Sequence, residues 1–176
     1  MYNVVLIGFM GTGKTVVGKR LAARLNKKFI DTDAEIEKVT GKTIEQIFAR
    51  DGVIRFRSEE TLLARKLENQ ENTVISTGGG MVLDPENIRL FKKNGIIIGL
   101  SASPEIIYQR VKHKRNRPLL NKGDLKTKIK ELLDERTESY KVAEFTIDTG
   151  DKKVEEVVDI IISYLDDRKS RNHEKS

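Results

Sequence analysis

The chain has 176 residues and a mass of 20.0 kDa, which suits a single domain large enough to bury its own core. It contains two histidines and no cysteine, which excludes disulfides, thiolate nucleophiles and cysteine-ligated metals and disfavours a histidine-rich metal site. The net charge of +6 at pH 7 suits small anions such as ATP better than nucleic acid, because the aromatic residues on which bases would stack are only 6% of the chain.

Short apolar strands alternate with amphipathic helices along the chain. Residues 2–7 form an apolar run that predicts a strand, and Val17, Leu21 and Leu25 recur every four residues on the helix that follows. Further strands are predicted at residues 28–31, 73–77, 96–101 and 145–149, and further helices begin near residues 43, 55, 85, 104, 124 and 153. This alternation favours a parallel sheet covered by helices on both faces, with ligands beyond the carboxyl ends of the strands.

The segment between the first strand and the first helix, residues 8–15, reads GFMGTGKT and matches the pattern G-x-x-x-x-G-K-[ST]. Its glycines let backbone N–H groups surround the α- and β-phosphates, and the helix N-terminus adds partial positive charge. We expect Lys14 to reach the β- and γ-phosphates and Thr15 to ligate Mg²⁺. The predicted ATP-binding residues of this segment are Gly11, Thr12, Gly13, Lys14, Thr15 and Val16.

Residues 121–124, NKGD, match the guanine-recognition pattern N-K-x-D, which would indicate a GTPase if it followed a buried strand. It follows instead a polar break between two helices, and no D-x-x-G follows a strand in the middle of the chain to sense a γ-phosphate. We therefore interpret the segment as a turn in which Asp124 caps the next helix.

Two carboxylates, Asp31 and Asp33, follow the second predicted strand at the edge where ligands are expected. One of them could hold Mg²⁺ through water while the other accepts a hydrogen bond from a substrate hydroxyl. Capping of the next helix by Asp33 is an equally good interpretation, and the two roles are compatible.

Arginines and glycines elsewhere in the chain are candidates for binding a phosphate acceptor. Arg57 and Glu60 lie three residues apart on a predicted helix, so Glu60 can hold the Arg57 guanidinium. Arg57 and Arg136 would together suit a carboxylate, because a guanidinium fork meets its two oxygens. Three glycines, residues 78–80, follow a buried strand and allow a ligand to approach the backbone closely.

Taken in order, the motifs GFMGTGKT, FIDTD, FRSEE, STGGG, NRPLL and RTESY resemble those of the shikimate kinases, over about residues 3–165. The resemblance implies a P-loop NTPase fold of the nucleoside monophosphate kinase type: a three-layer α/β sandwich with a five-stranded parallel sheet, helices on both faces and a mobile lid. It also implies transfer of the γ-phosphoryl group of ATP to the 3-hydroxyl of shikimate, giving shikimate 3-phosphate on the route to aromatic amino acids.

The resemblance further assigns expected roles to individual residues. Arg57 and Arg136 would bind the shikimate carboxylate, Asp33 the ring hydroxyls, and the glycines Gly79 and Gly80 would contact the substrate. Thr15 and Asp31 would lie at the Mg²⁺ site. With Lys14 and Asp33, the third expected catalytic residue is Arg117, which would reach the ATP phosphates from a lid at about residues 112–124.

The chain departs from the family pattern after its last predicted strand, where GDKK, residues 150–153, stands in place of a segment that often carries proline. Contacts to adenine are therefore left open. Arg110 is a candidate to stack on the base, and a solvated helix arginine is an almost equal alternative.

The leading hypothesis is a Mg²⁺- and ATP-dependent shikimate kinase that acts as a cytoplasmic monomer on ATP and shikimate, with no nucleic-acid or membrane partner. A gluconate or nucleotide kinase is the alternative among enzymes, and a slow nucleotide-hydrolysing switch is the alternative from another class. We expect one domain at residues 1–168 and a disordered tail at residues 169–176.

Overall fold

Five parallel strands form one sheet in the computed structural model, which describes residues 2–113 and 124–173. The strands are β1 (Asn3–Ile7), β2 (Lys28–Asp31), β3 (Thr73–Ser76), β4 (Gly95–Ser101) and β5 (Phe145–Asp148). Their order across the sheet is β2-β3-β1-β4-β5, which puts β1 at the centre. Val5 lies opposite Ile75 of β3 on one side and Ile97 of β4 on the other, and all three side chains are buried.

Helices connect the strands and also extend the chain beyond the last one. They are α1 (Lys14–Leu25), α2 (Thr32–Thr40), α3 (Ile44–Arg50), α4 (Gly52–Leu67), α5 (Pro85–Asn94), α6 (Pro104–Val111), α7 (Leu125–Tyr140) and α8 (Val154–His173), with a short 3-10 helix at Met81–Leu83. In the part of the chain that the structure describes, no helix has the length and apolar character needed to cross a membrane.

Alternate residues of the central strand face opposite sides of the sheet. Val5 and Ile7 belong to a core that also contains side chains from α2 to α5, whereas Val4 and Leu6 belong to a core shared with α1 and α8. Helices therefore cover both faces, and the predicted three-layer α/β sandwich with a five-stranded parallel sheet is confirmed.

The predicted starts of α3, α5 and α7 hold, because the capping residues make the expected bonds, whereas α4 begins at Gly52, three residues before the predicted residue 55. Thr43 and Gln46 form a reciprocal capping box on α3, and the Asp84 carboxylate accepts from Glu86 N–H with Pro85 in the first turn of α5. Asp124 accepts a hydrogen bond from Thr127 N–H at 3.1 Å and so caps α7. The interpretation of Asp124 as a cap is thus confirmed, while residues 114–123 lie outside the described residues.

The C-terminal helix is longer than predicted. Helix α8 continues to His173, so the prediction of disorder from residue 169 is wrong up to that point. Ion pairs stabilise this last part: Lys169 pairs with Asp166 three residues earlier in the helix, and Arg168 reaches Glu144, just before β5, at 3.1 Å. Composition alone does not reveal such pairs.

Candidate active site

A cleft of about 910 Å³ opens at the carboxyl edge of the sheet. Parallel strands β1, β2 and β3 end there, which is where ligands bind in folds of this type. Residues from the glycine-rich segment line one part of the cleft, and residues from the loop after β3 and from α2, α3, α4 and α7 line much of the rest. Apart from Arg117, all the predicted site residues border it: Gly11, Thr12, Gly13, Lys14, Thr15, Val16, Asp31, Asp33, Arg57, Gly79, Gly80, Arg110 and Arg136.

The turn between β1 and α1 has the backbone geometry of a phosphate-binding loop. Gly8 and Gly13 have φ values of 147° and 98°, which disfavour other residues, and a Cβ on Gly8 would lie 2.1 Å from the Leu100 carbonyl oxygen. The Lys14 Nζ donates hydrogen bonds to the carbonyl oxygens of Gly8 at 2.7 Å and Phe9 at 2.9 Å. A buried ammonium group is thereby held over the loop at the N-terminus of α1.

A hydroxyl group and a carboxylate meet beside this loop. The Thr15 Oγ1 donates a hydrogen bond of 2.7 Å to Asp31 Oδ2. The other oxygen of Asp31 accepts from Asp33 N–H and Ala34 N–H at 3.1 and 3.3 Å, so Asp31 is the N-cap of α2. The interpretation of Asp33 as the cap is therefore wrong, because Asp33 already lies in the first turn of the helix.

Thr15 and Asp31 suit a magnesium ion. Both supply oxygen ligands, the donors that Mg²⁺ prefers, and the ion usually takes only one or two protein ligands together with phosphate and water. Among the described residues there is no group of three or more acidic, histidine or cysteine side chains that could hold a metal by itself. A site completed by the phosphates of a nucleotide is the arrangement that this donor set fits.

Arg57 and Glu60 form a partly buried ion pair on α4. The Arg57 Nη1 donates to Glu60 Oε2 at 2.5 Å, and Glu60 is 1% exposed. Burial, together with the smaller effect of the nearby Asp33 charge, raises the pKa of Glu60 from 4.5 to about 7, although the Arg57 and Arg136 guanidinium groups oppose the rise. In the described part of the chain, Glu60 Oε1 has no hydrogen-bond partner. The predicted function of Glu60 as the support of Arg57 agrees with this geometry.

The two predicted arginines approach neighbouring glycines on one wall of the cleft. A Cβ on Gly80 would lie 2.3 Å from Arg57 Nη2, and a Cβ on Gly79 would lie 3.6 Å from Arg136 Nη1. Adjacent Cα atoms are about 3.8 Å apart, so both guanidinium groups are directed at one short stretch of backbone. Arg136 is 5% exposed, and its guanidinium carbon is 5.7 Å from the centre of the Phe9 ring.

The Asp33 carboxylate, on α2, reaches the same wall of the cleft. A Cβ on Gly78 would lie 2.6 Å from Asp33 Oδ1 and 3.2 Å from Glu60 Oε1. Any side chain at residue 78 would displace these carboxylates, which explains the need for glycine there. The structure thus brings together a carboxylate, two guanidinium groups and the phosphate-binding loop in one cleft.

Arg110 links two loops rather than pointing freely into solvent. Its guanidinium donates to the carbonyl oxygens of Gly11 at 3.0 Å and Thr149 at 2.7 Å, and to the Thr149 hydroxyl at 3.1 Å. The solvated alternative is wrong, whereas stacking on a base stays a prediction. Arg117, the third expected catalytic residue, lies outside the described residues, together with most of the predicted lid.

Two residues of the site were not assigned by sequence reasoning. The buried Thr149 accepts from Arg110 and donates to the carbonyl oxygen of Thr12 at 2.8 Å, which ties β5 to the phosphate-binding loop. The Tyr140 hydroxyl donates to the carbonyl oxygen of Gly79 at 2.6 Å. Tyr140 follows Arg136 by four residues, and that helical spacing was the available signal.

Comparison with known proteins identifies relatives over nearly the whole chain. The family model for shikimate kinase matches residues 10–166. A shikimate kinase of Pelotomaculum thermopropionicum is 66% identical over 165 residues, which are 94% of this chain and 96% of the relative.

Solved structures agree in fold and in length. The shikimate kinase of Acinetobacter baumannii, in complex with shikimate, has a TM-score of 0.92 and 36% identity, with 96% of this chain and 95% of that chain covered. The shikimate kinase of Aquifex aeolicus has a TM-score of 0.83 at 36% identity, over 95% of this chain and 98% of that chain.

Proposed function

The chain belongs to the shikimate kinase family, and from this premise we infer how its own residues carry out the reaction. The enzyme transfers the γ-phosphoryl group of ATP to the 3-hydroxyl of shikimate, giving shikimate 3-phosphate and ADP in the biosynthesis of chorismate and the aromatic amino acids. The gluconate, nucleotide-kinase and switch hypotheses are set aside by this membership.

We propose that Arg57 and Arg136 bind the carboxylate of shikimate. Their convergence on Gly79 and Gly80 is the observation that carries the assignment, because two guanidinium forks beside exposed backbone suit a planar anion. Glu60 holds Arg57 by its ion pair, so the substrate meets a guanidinium that is already oriented.

We propose that Asp33 binds the ring hydroxyls and accepts the proton of the 3-hydroxyl as the phosphoryl group transfers. Its carboxylate lies at the Gly78 wall, in the cleft that the two guanidinium groups and the phosphate-binding loop also line. A hydroxyl held there can attack in line, and positioning of this kind is the larger part of catalysis in phosphoryl transfer.

At the nucleotide, Lys14 would neutralise charge on the β- and γ-phosphates, since its ammonium group is held over the phosphate-binding loop. Arg117, from the expected lid, would neutralise charge on the same phosphates. Thr15 and Asp31 would hold Mg²⁺. Charge neutralisation at the phosphates is the chemistry that the ion would supply there. Gly11, Thr12, Gly13 and Val16 bind the phosphates and the nucleotide, and Arg110 contacts the base. We propose that the lid expected at about residues 112–124 excludes water, which would favour transfer over hydrolysis.

We further propose that the enzyme is a monomer in the cytoplasm. The absence of cysteine is compatible with a reducing compartment, and shikimate and ATP are the small anions that the basic chain would bind.

ADP release with ATP, Mg²⁺ and a panel of shikimate, gluconate and nucleoside monophosphates tests the reaction. Turnover with gluconate or a nucleotide in preference to shikimate would contradict it.

The substitution Arg136→Ala tests how the substrate is bound. Loss of a buried, charged hydrogen-bonding partner should raise the KM for shikimate about 30- to 150-fold, a loss of about 2–3 kcal/mol, and leave the KM for ATP near that of the wild type. Arg89→Ala is the control, because Arg89 is exposed and pairs with Glu86, and neither residue lines the cleft. An unchanged KM for shikimate in Arg136→Ala would mean that the acceptor binds elsewhere.

A further inference from the structure

The carbonyl oxygen of Gly79 points out of the cleft wall toward α7, where the Tyr140 hydroxyl donates a hydrogen bond to it at 2.6 Å. This bond joins residues 61 positions apart in the chain. A peptide group is planar, so fixing the carbonyl of Gly79 also fixes the N–H of Gly80 on the opposite side of the same plane. Glycines have wide conformational freedom, so one strong hydrogen bond to the glycine loop at residues 78–80 removes much of the freedom of that loop.

The backbone N–H groups of Gly79 and Gly80 donate no hydrogen bond to any residue within 2–113 or 124–173. By contrast, the neighbouring N–H groups of Gly78 and Met81 are engaged, with the Thr32 hydroxyl at 2.8 Å and the Gly78 carbonyl oxygen at 3.1 Å. Two consecutive donors thus remain available next to the Arg57 and Arg136 guanidinium groups, on the wall proposed to receive the substrate.

Gly79 also lies against the phosphate-binding loop. A Cβ at this residue would be 3.3 Å from the backbone nitrogen of Met10 and 3.5 Å from the carbonyl oxygen of Gly8. The position of this glycine therefore sets the separation between the substrate wall and the loop that holds the triphosphate. A small shift of Gly79 would move the acceptor relative to the γ-phosphate.

Tyr140 is well placed to hold that position. Its ring packs between two apolar cores, one on the sheet face that carries α2 to α5 and one formed by Phe9, Met10, α6 and α7. It is the last residue of α7, one turn beyond Arg136. Burial raises the pKa of the Tyr140 hydroxyl, and the Arg136 guanidinium opposes that rise, so the phenol stays a proton donor at neutral pH.

We propose that Tyr140 is a positioning residue for the acceptor site: its hydroxyl fixes the Gly79–Gly80 peptide against the phosphate-binding loop and beside Arg136. Helix α7 then contributes two residues to the acceptor site: Arg136, which is directed at the substrate, and Tyr140, which orients the glycine backbone beside the substrate. The inference rests on the proposed function and deepens it, because it concerns the same site.

Tyr140→Phe tests the proposal, since it removes one hydroxyl and keeps the ring that fills the two cores. We expect the Kd and the KM for shikimate to rise about 5- to 15-fold, as for loss of one buried hydrogen bond, and kcat to fall by a smaller factor. The Kd and the KM for ATP should change less than twofold, because the phosphate-binding loop keeps its own bonds.

Tyr164→Phe is the matched control. It removes a phenolic hydroxyl from a ring that stacks on Phe145 at 4.6 Å, in the core on the other face of the sheet. This variant should keep both KM values. The thermal midpoints of the two variants report any general loss of stability separately from the kinetic effect.

An unchanged affinity for shikimate in Tyr140→Phe would overturn the proposal, and so would an equal loss of affinity for shikimate and ATP, which would indicate a structural role only. If the wild-type enzyme fails to phosphorylate shikimate, the proposed function is wrong and this inference falls with it. Wild-type turnover with an unaffected Tyr140→Phe variant would remove the inference alone.

Discussion

At the scale of single residues, Glu60 has the most unusual environment in the site. Its carboxylate is buried, pairs with Arg57 through one oxygen and lies near Asp33 and Arg136, and burial raises its pKa to about 7. A carboxyl group in such a place affects the stability of the fold through its protonation state, and also the orientation of Arg57, which is proposed to bind the acceptor.

The raised pKa of Glu60 predicts a pH dependence of stability. Between about pH 4.5 and 7 the folded protein keeps a proton on Glu60 that the unfolded chain releases, so the free energy of unfolding falls as the pH rises. The slope from this one group is at most about 1.4 kcal/mol per pH unit. In denaturant unfolding, the free energy of unfolding of the wild type minus that of Glu60→Gln, which cannot titrate, should therefore fall from pH 5 to pH 7 and then level off. A difference that stays constant over this range would contradict the shifted pKa.

At the scale of elements, the turn from β2 into α2 combines a structural and a functional use of one side chain. Asp31 ends β2, caps α2 with one carboxylate oxygen and accepts from Thr15 with the other. Because the cap is Asp31, Asp33 enters the helix and its carboxylate can face the Gly78 wall. The start of α2 therefore places the Asp31 carboxylate beside Thr15 and the Asp33 carboxylate at the Gly78 wall.

Two substitutions of Asp31 separate these uses. Asn caps helices as well as Asp does, so Asp31→Asn should keep the wild-type stability, whereas Asp31→Ala should lose about 1 kcal/mol. Both variants should need a higher Mg²⁺ concentration for half-maximal velocity, because both lose the charge that would hold the ion. Thermal unfolding and Mg²⁺ titrations of the activity measure the two effects. A normal Mg²⁺ requirement in Asp31→Asn would exclude Asp31 from the metal site.

At the scale of the whole molecule, the site exists only where distant parts of the sheet and the helices meet. Arg57 on α4 and Arg136 on α7 are 79 residues apart in the chain, yet both approach the loop that follows β3. Arg110 on α6 and Thr149, just after β5, bond to each other, and each also donates a hydrogen bond to the phosphate-binding loop. A ligand in this cleft contacts several elements at once and should stabilise the fold as a unit.

Shikimate should therefore raise the melting temperature of the protein. At a concentration of 100 times its Kd the ligand adds about 2.7 kcal/mol, which for a domain of this size corresponds to about 5–10 °C. The rise should persist in Arg89→Ala and fall to about 1–3 °C in Arg136→Ala at the same shikimate concentration, because a 30- to 150-fold weaker affinity leaves about 0.3–0.9 kcal/mol of stabilisation. An equal rise in both variants, measured by differential scanning calorimetry, would place the bound ligand away from Arg136.

The sequence by itself determined the features that depend on neighbours in the chain. Apolar periodicity predicted the five strands and their parallel arrangement, capping residues predicted the starts of α3, α5 and α7, and the spacing of residues 8–15 predicted the phosphate-binding loop. The end of α8 was missed, because ion pairs such as Arg168 with Glu144 stabilise a polar stretch whose composition resembles a disordered tail.

Only the tertiary structure decided which of these residues meet. The choice of Asp31 over Asp33 as the cap, the bond from Tyr140 to Gly79 and the bracing of the phosphate-binding loop by Thr149 depend on backbone positions set by packing between distant elements. Hydrogen bonds act over about 3 Å, whereas a pattern in the sequence places a side chain only on a helix face or at a strand end. Convergence of Arg57 and Arg136 on adjacent glycines is therefore a property of the folded sheet edge and not of either motif alone.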